Sequence, residues 1–323
     1  MDKVIVTGGA GFIGSNLVEL LLAKKYRVVV IDDFSVGKLE NLPKYKNLEI
    51  VKADVRNLKR MTELFKGSNY VYHLATQCVR KSINDPFLVH SVNTEGTFSV
   101  LEAAKINKVK RFVYVSSSEV YGTAIKVPMS ENHPLNPTTI YGASKLAGEL
   151  YSQAYARTYG LNIVIARPFN TYGYNEHFEG PYGEVIPRFV VRILNGLPMQ
   201  IFGSGKQTRD FTFVEDTARG ILLVGEKGNT GEIYNIAKGQ EVSILKLAKL
   251  IQKLLKKEGK VEFLPPRPGD VKRHFAKITK ASRELRFKAR YSIEEGISKY
   301  IKWFIKTYPD YKSTLKFYQD KNW

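Results

Sequence analysis

Cysteine is nearly absent. The 323-residue chain has one, Cys78, and a single thiol closes no internal disulfide. That excludes a disulfide-stapled secreted scaffold and fits a reducing compartment. Histidine is also scarce: His73, His90, His133, His177 and His274 show no ligand spacing, so no metal site is expected. No uninterrupted apolar run approaches the ~20 residues that span a bilayer. The opening "MDKVIVTGG" enters a strand-like run with no signal-peptide pattern. The expectation is a cytoplasmic protein that does not enter a membrane. Internal repeats, low-complexity tracts and flexible linkers are missing as well.

Acidic residues are in deficit, 31 Asp and Glu against 50 Lys and Arg, for a formal charge of +19. The basic residues are scattered, many on helix-like stretches such as "KLAKLIQKLLKKEGK". They read as a solvated surface that attracts phosphorylated ligands, not as a specific nucleic-acid face.

What the chain has in quantity is alternation. Short β-branched runs ("KVIVTGG", "RVVVIDD", "LEIVKADV", "YVYHLAT", "RFVYVSSS") are separated by segments of helical spacing such as "NLVELLLAKK" and "HSVNTEGTFSVLEAAKIN". "LNIVIARP" adds a sixth strand after the helix "GASKLAGELYSQAYARTYG". Near-continuously apolar strands alternating with helices predict a parallel sheet covered on both faces. From Phe169 the pattern loosens, a helix runs to Asn195, and "RDFTFVEDTARGILLVGEK" with "EIYNIA" reads as a return to the main sheet. The expected fold is α/β, a Rossmann-type doubly wound parallel sheet with a smaller α/β substrate-binding lobe. Residues 1–168 and about 210–237 would form the first unit, and 169–209 with 238–323 the lobe. A cleft between them is the expected ligand site.

"VTGGAGFIG" follows the first strand and opens the first helix, with glycines at Gly8, Gly9, Gly11 and Gly14. Such a loop brings the backbone close to a pyrophosphate and aims a helix N-terminus at its charge. Asp32, at the end of the second strand, strengthens the reading: a carboxylate there accepts from a free ribose 2′-hydroxyl and repels a 2′-phosphate. NAD is therefore expected over NADP. Its neighbour Asp33 has turn formation as its simplest role.

"YGASK" places Tyr141 and Lys145 four residues apart, on one helix face. An unperturbed phenol, with a pKa of about 10, is a poor base at neutral pH. An ammonium beside it, with an oxidised nicotinamide, would favour the phenolate. That phenolate could take a proton from a sugar hydroxyl while the carbon beneath loses hydride. Ser117 could hold the reacting oxygen.

The assembled residues resemble the extended short-chain dehydrogenase/reductase family, specifically the NAD-dependent nucleotide-sugar epimerases and dehydratases. The resemblance is carried by "TGGAGFIG", Asp32, "ADV", "HLAT", Asn93, "SSSEVYG", Tyr141 with Lys145, "RPFNTYG", "GSGKQTRDFTFVEDTARG" and "RPGDV", and reaches to about Thr307. It implies that Asp54 and Val55 border the adenine, that Ala75, Asn93 and Ser116 line the cofactor, and that Lys145 bonds the nicotinamide ribose. Phe12, Ile13, Asp33 and Leu74 are counted with these cofactor contacts. It further implies that Asn170, Arg209 and Arg267 grip the nucleotide diphosphate, with Ser117, Ser118 and Val185 also at the substrate. Guanidinium forks suit phosphate oxygens, in agreement. Phe169, Tyr172, Tyr182, Phe189 and Phe202 stand where a base or sugar could stack, or where a core could use them. A homodimer is expected from the family.

"VYVSSSEVYG" carries the question of outcome. Members of the family begin by oxidising the sugar at C4. A 4-epimerase needs no further group, whereas a 4,6-dehydratase needs a base for the C5 proton. Ser118–Glu119 resembles the serine–glutamate pair of GDP-mannose 4,6-dehydratases and of UDP-glucuronate decarboxylases. It departs from the aspartate–glutamate pair of dTDP-glucose dehydratases. "TQCVRKSINDP" and "RPGDV" look epimerase-like, and Glu119 could simply cap its loop. The leading expectation is a dehydratase acting on a UDP- or GDP-linked hexose. A UDP-hexose 4-epimerase is the alternative, and a decarboxylase ranks below both.

Overall fold

The computed structural model describes residues 1–320. Seven parallel strands form the main sheet: β1 (Lys3–Thr7), β2 (Arg27–Asp32), β3 (Leu48–Lys52), β4 (Tyr70–His73), β5 (Arg111–Val115), β6 (Ile163–Pro168) and β7 (Ile233–Ile236). Their spatial order is β7-β6-β5-β4-β1-β2-β3. This is the expected doubly wound arrangement. The order reverses between β1 and β4, which opens a crevice at the carboxyl ends of the strands.

The strands are apolar because both faces are covered. The main helices are α1 (Phe12–Ala23), α2 (Leu58–Leu64), α3 (Gly96–Ile106), α4 (Ile140–Tyr159), α5 (Val185–Leu194), α6 (Val214–Lys227), α7 (Ile244–Leu255) and α8 (Ile293–Thr307). Val4 and Val6 of β1 face Leu17 and Val18 of α1 and Ile221 of α6. Ile5, pointing the other way, joins Val100 and Leu101 of α3 and Phe112 of β5. A separate core packs Phe189, Leu247, Ile251, Ile297 and Phe304 from α5, α7 and α8. Among the described residues no helix is long and apolar enough to cross a membrane.

Two local departures from the sequence reading bear on the site. "HSVNTEGTFSVLEAAKIN" is not one α-helix: a π-helical turn, Ser91–Glu95, precedes α3. The strand within "RDFTFVEDTARG" also stays out of the main sheet. Thr212–Phe213 pairs with Thr171–Tyr172 instead. The buried carboxylate of Asp210 holds it there, accepting from the amides of Gly239 (3.1 Å) and Ala276 (3.2 Å). The rest of that stretch, α6, does return to the sheet, ahead of β7.

Candidate active site

The crevice deepens into a cavity of about 420 Å³ that reaches from the glycine loop to the second core. Gly8, at φ +67°, crosses the loop at Leu74 and Ala75, where an added Cβ would lie 2.6 Å from the Ala75 nitrogen. At Gly14 a Cβ would meet the Gly8 oxygen at 2.2 Å. Gly11 caps α1 without any side-chain hydrogen bond, so the first-turn amides at Phe12, Ile13 and Gly14 remain for a ligand at the cavity wall. This cradle fits a pyrophosphate.

Asp32 is buried at the cavity edge and accepts from the amides of Ala10 and Phe34, both at 2.9 Å. Burial raises its pKa, and those two bonds work against the rise. Asp33 borders the same cavity, but its Oδ1 is engaged by the amide and hydroxyl of Ser35. Asp54 and Val55 form the far end; the guanidinium of Arg56 holds the Asp54 carboxyl below its usual range. Asn93 lies on the π-helical turn beside Gln77, which lines the cavity; its Oδ1 accepts from the Gln77 amide (2.7 Å) and its Nδ2 donates to Ser144 (3.0 Å).

Tyr141 and Lys145 enter from the first turns of α4, which Thr139 caps by accepting from the Gly142 amide at 3.1 Å. The Ser117 hydroxyl stands beside the Tyr141 phenol and favours its ionised form. Lys145 is buried, its Nζ 4.7 Å from the centre of the Tyr114 ring. The electrostatics differ from the sequence reading. Burial pushes Lys145 down to about 7, against the pull of the Glu149 carboxylate. The Tyr141 phenol is pushed upward, first by burial, with the Ser117 hydroxyl opposing. Burial thus works against both charged forms, the Lys145 ammonium and the Tyr141 phenolate.

Behind the pair, Ser116 borders the cavity but donates its hydroxyl to Glu149. Glu149 is forked by Arg167, Nε to Oε1 at 2.8 Å. Arg167 reaches Tyr121 at 2.8 Å, and Tyr121 reaches Asn235 at 2.7 Å, tying α4 to β6 and β7.

Ser118 and Glu119 stand on a 3₁₀ turn after β5, beside the same cavity. Burial raises Glu119 to about 7; Arg209 pulls it down, while Asp270 and Glu184 push it up. Asn170 lines the cavity with its Oδ1 buried and without a hydrogen-bond partner among the described residues, the mark of a group that a ligand completes. Val185, at the start of α5, also lines this part. Arg209 pairs with Asp270 (2.5 Å), and Arg267 stacks over Phe202 at 4.4 Å. Phe169 and Tyr182 line the cavity, whereas Tyr172 and Phe189 belong to the second core.

The structure adds two residues beside the site, Arg80 and His274. Arg80, within "TQCVRKSINDP", is buried, pairs with Glu184 and donates to the carbonyls of Pro181 (3.0 Å) and Tyr182 (3.1 Å). His274 packs against Ser118 from a segment 156 residues away. A lone basic residue in a polar loop gives no sequence signal for such placement.

The model of the GDP-mannose 4,6-dehydratase family matches residues 5–300. The chain belongs to the extended short-chain dehydrogenase/reductase family. Its relatives there are NAD-dependent nucleotide-sugar epimerases and dehydratases. A UDP-glucose 4-epimerase of Mycolicibacterium smegmatis is 37% identical over 309 residues, covering 94% of this chain and 98% of that protein. The solved UDP-N-acetylglucosamine 4-epimerase of Methanobrevibacter ruminantium, in complex with UDP-N-acetylmuramic acid, superposes with TM-score 0.90 at 35% identity, covering 95% and 99%. The dTDP-glucose 4,6-dehydratase of Streptomyces venezuelae, solved with NAD bound, gives TM-score 0.91 at 32% identity, covering 96% and 99%. Both reaction outcomes stand among the chain's relatives.

Proposed function

We propose that this enzyme is an NAD-dependent nucleotide-sugar 4,6-dehydratase. The observation that carries the reading is Glu119, a carboxyl poised near neutrality in the cavity that also holds Tyr141 and Lys145. A C4 epimerase has no use for such a base.

The first-turn amides of α1 would hold the cofactor pyrophosphate and Asp32 the ribose, which favours NAD over NADP. NAD, when bound there, would supply the redox chemistry, a hydride acceptor at C4 and a hydride donor at C6. Tyr141, oriented by Ser117, takes the C4 hydroxyl proton, and Lys145 stabilises the phenolate whenever it carries charge. The new C4 ketone acidifies the C5 hydrogen. Glu119 removes that proton, its electron pair becomes the C5=C6 bond, and the C6–O bond breaks. The same carboxyl, now acidic, can protonate the departing hydroxyl so that water leaves. A solvent proton, relayed through Glu119, then returns to C5 while Tyr141 releases the C4 hydroxyl proton to solvent, and one water is lost overall. Asn170, Arg267 and Arg209 are assigned to the nucleotide diphosphate, with Arg209 sharing its charge with Asp270.

The second reading, a 4-epimerase, is favoured by the higher identity to epimerases. Incubation with UDP-, GDP- and dTDP-hexoses separates the two. A 4-keto-6-deoxy product supports the dehydratase, a C4 epimer contradicts it, and Glu119→Gln should abolish most dehydratase turnover while barely touching an epimerase.

We infer further that two copies pair through the outer faces of α3 and α4. Phe98, Ile106, Leu150 and Tyr159 there are each about half exposed, at 48%, 50%, 55% and 55%.

A further inference from the structure

His274 lies on the segment after the short strand Val261–Leu264, outside the main sheet, yet its ring is fully buried against the turn of Ser118 and Glu119. Its Nε2 is 2.8 Å from the carbonyl oxygen of Gly122. A carbonyl only accepts, so Nε2 carries the ring hydrogen. Gly122 is at φ +64°, and a Cβ there would meet the Asn136 oxygen at 2.0 Å, so this carbonyl is held by a backbone shape that glycine alone permits. Burial, with Arg209 nearby, pushes the imidazole pKa down to about 3. The ring is neutral, and Nδ1 presents a bare lone pair.

Two groups face that lone pair, Ser118 Oγ at 3.4 Å and Glu119 Oε1 at 4.0 Å. With a neutral ring the second contact is not an ion pair. While Glu119 is ionised it has no hydrogen to offer, and the Ser118 hydroxyl donates to Nδ1, turning its own lone pairs to the cavity. At 4.0 Å Glu119 stands beyond hydrogen-bond reach of Nδ1; once it is protonated, a turn of its carboxyl toward the ring lets its O–H compete for the same acceptor.

We infer that His274 is a positioning residue whose Nδ1 is a shared acceptor, exchanged between Ser118 and Glu119 as Glu119 gains and loses a proton. Ser118 then accepts from the sugar when Glu119 is charged and donates to it when Glu119 is neutral. The catalytic consequence rests on the dehydratase reading: uptake of the C5 proton turns the Ser118 hydroxyl toward the cavity as the C6–O bond breaks. The other groups bearing on Glu119 are Arg209 and Arg80, which favour its charged form, and Asp270 and Glu184, which favour its neutral form.

Two substitutions test this in the full-length protein with NAD bound. His274→Gln sets an amide nitrogen near the Nε2 position, keeping the bond to Gly122 while removing the acceptor. His274→Asn keeps an oxygen near the Nδ1 position and gives up the Gly122 contact. Carboxyl-carbon NMR titration, with the Glu119 signal identified by its loss in Glu119→Gln, reads the proton affinity directly. The affinity should fall about tenfold in His274→Gln, the scale of one lost hydrogen bond, and stay near wild type in His274→Asn, although His274→Asn melts lower. Equal midpoints in all three proteins overturn the inference, as does a shift that is larger in His274→Asn. If neither variant folds, Ser118→Ala decides: removing the competitor should raise the Glu119 midpoint, and an unchanged midpoint overturns the inference. No sugar is present in this titration, so its failure is distinct from that of the dehydratase reading, which the product decides.

Discussion

Burial, not the sign of nearby charge, sets the protonation of the key side chains. Lys145 and Glu119 arrive near pH 7 from opposite directions, a base pushed down and an acid pushed up, each chiefly by desolvation. In the proposed dehydratase mechanism Glu119 works as a base only after losing its proton, so turnover should rise with pH toward about 7. In the same mechanism Lys145 supports the phenolate only while charged, so turnover should fall above about 7. A narrow bell in kcat against pH is the expected result. Lys145→Arg, whose guanidinium stays protonated, should lower the rate yet flatten the alkaline limb; an unmoved limb would assign it to another group. Tyr141→Phe should cost about 10²–10⁴-fold in kcat, the usual worth of a positioned acid–base group, with the binding of NAD, followed by fluorescence, little changed.

At the scale of elements, precision comes from close approaches that no periodicity displays. Gly148, mid-way along α4, sits where a Cβ would be 2.1 Å from the Tyr114 hydroxyl. That hydroxyl donates to the Lys145 carbonyl at 3.2 Å, so the contact which seats the helix also places the lysine. Gly148→Ala should destabilise by about 1–3 kcal/mol through overpacking, read by chemical denaturation, and lower kcat because Lys145 moves with the helix. A stable, fully active variant would contradict that coupling. Asp210→Asn should cost about 1–3 kcal/mol, because it sets an amide donor against main-chain donors in a dry site. The sheet, the glycine loop and the helix bearing Tyr141 were legible because each is a local pattern of apolar period, glycine spacing or an i, i+4 pair. The π-helical turn that carries Asn93 was not legible, because apolar spacing does not register so short an insertion.

At the scale of the whole molecule, what the sequence hides is contact across distance. Arg80 meets Glu184 and His274 meets Ser118 only after the chain has wound through both cores, 104 and 156 residues apart. The half-exposed Phe98 and Leu150 should disappear into a dimer interface. Sedimentation should report a dimer for the wild type and a monomer for the double variant Phe98→Glu with Leu150→Glu; a monomeric wild type would contradict the pairing. The excess of positive charge should steer an anionic substrate, so kcat/KM should fall several-fold as salt is raised while kcat holds. The account as a whole stands on one itinerary, in which a hydrogen leaves C4 and Glu119 opens C6 to receive it. Deuterium placed at C4 of a nucleotide-activated hexose that the enzyme converts follows that path directly. The account predicts the label at C6 of a 4-keto-6-deoxy product; label returned to C4 with inverted configuration, or never moved from C4, would contradict it.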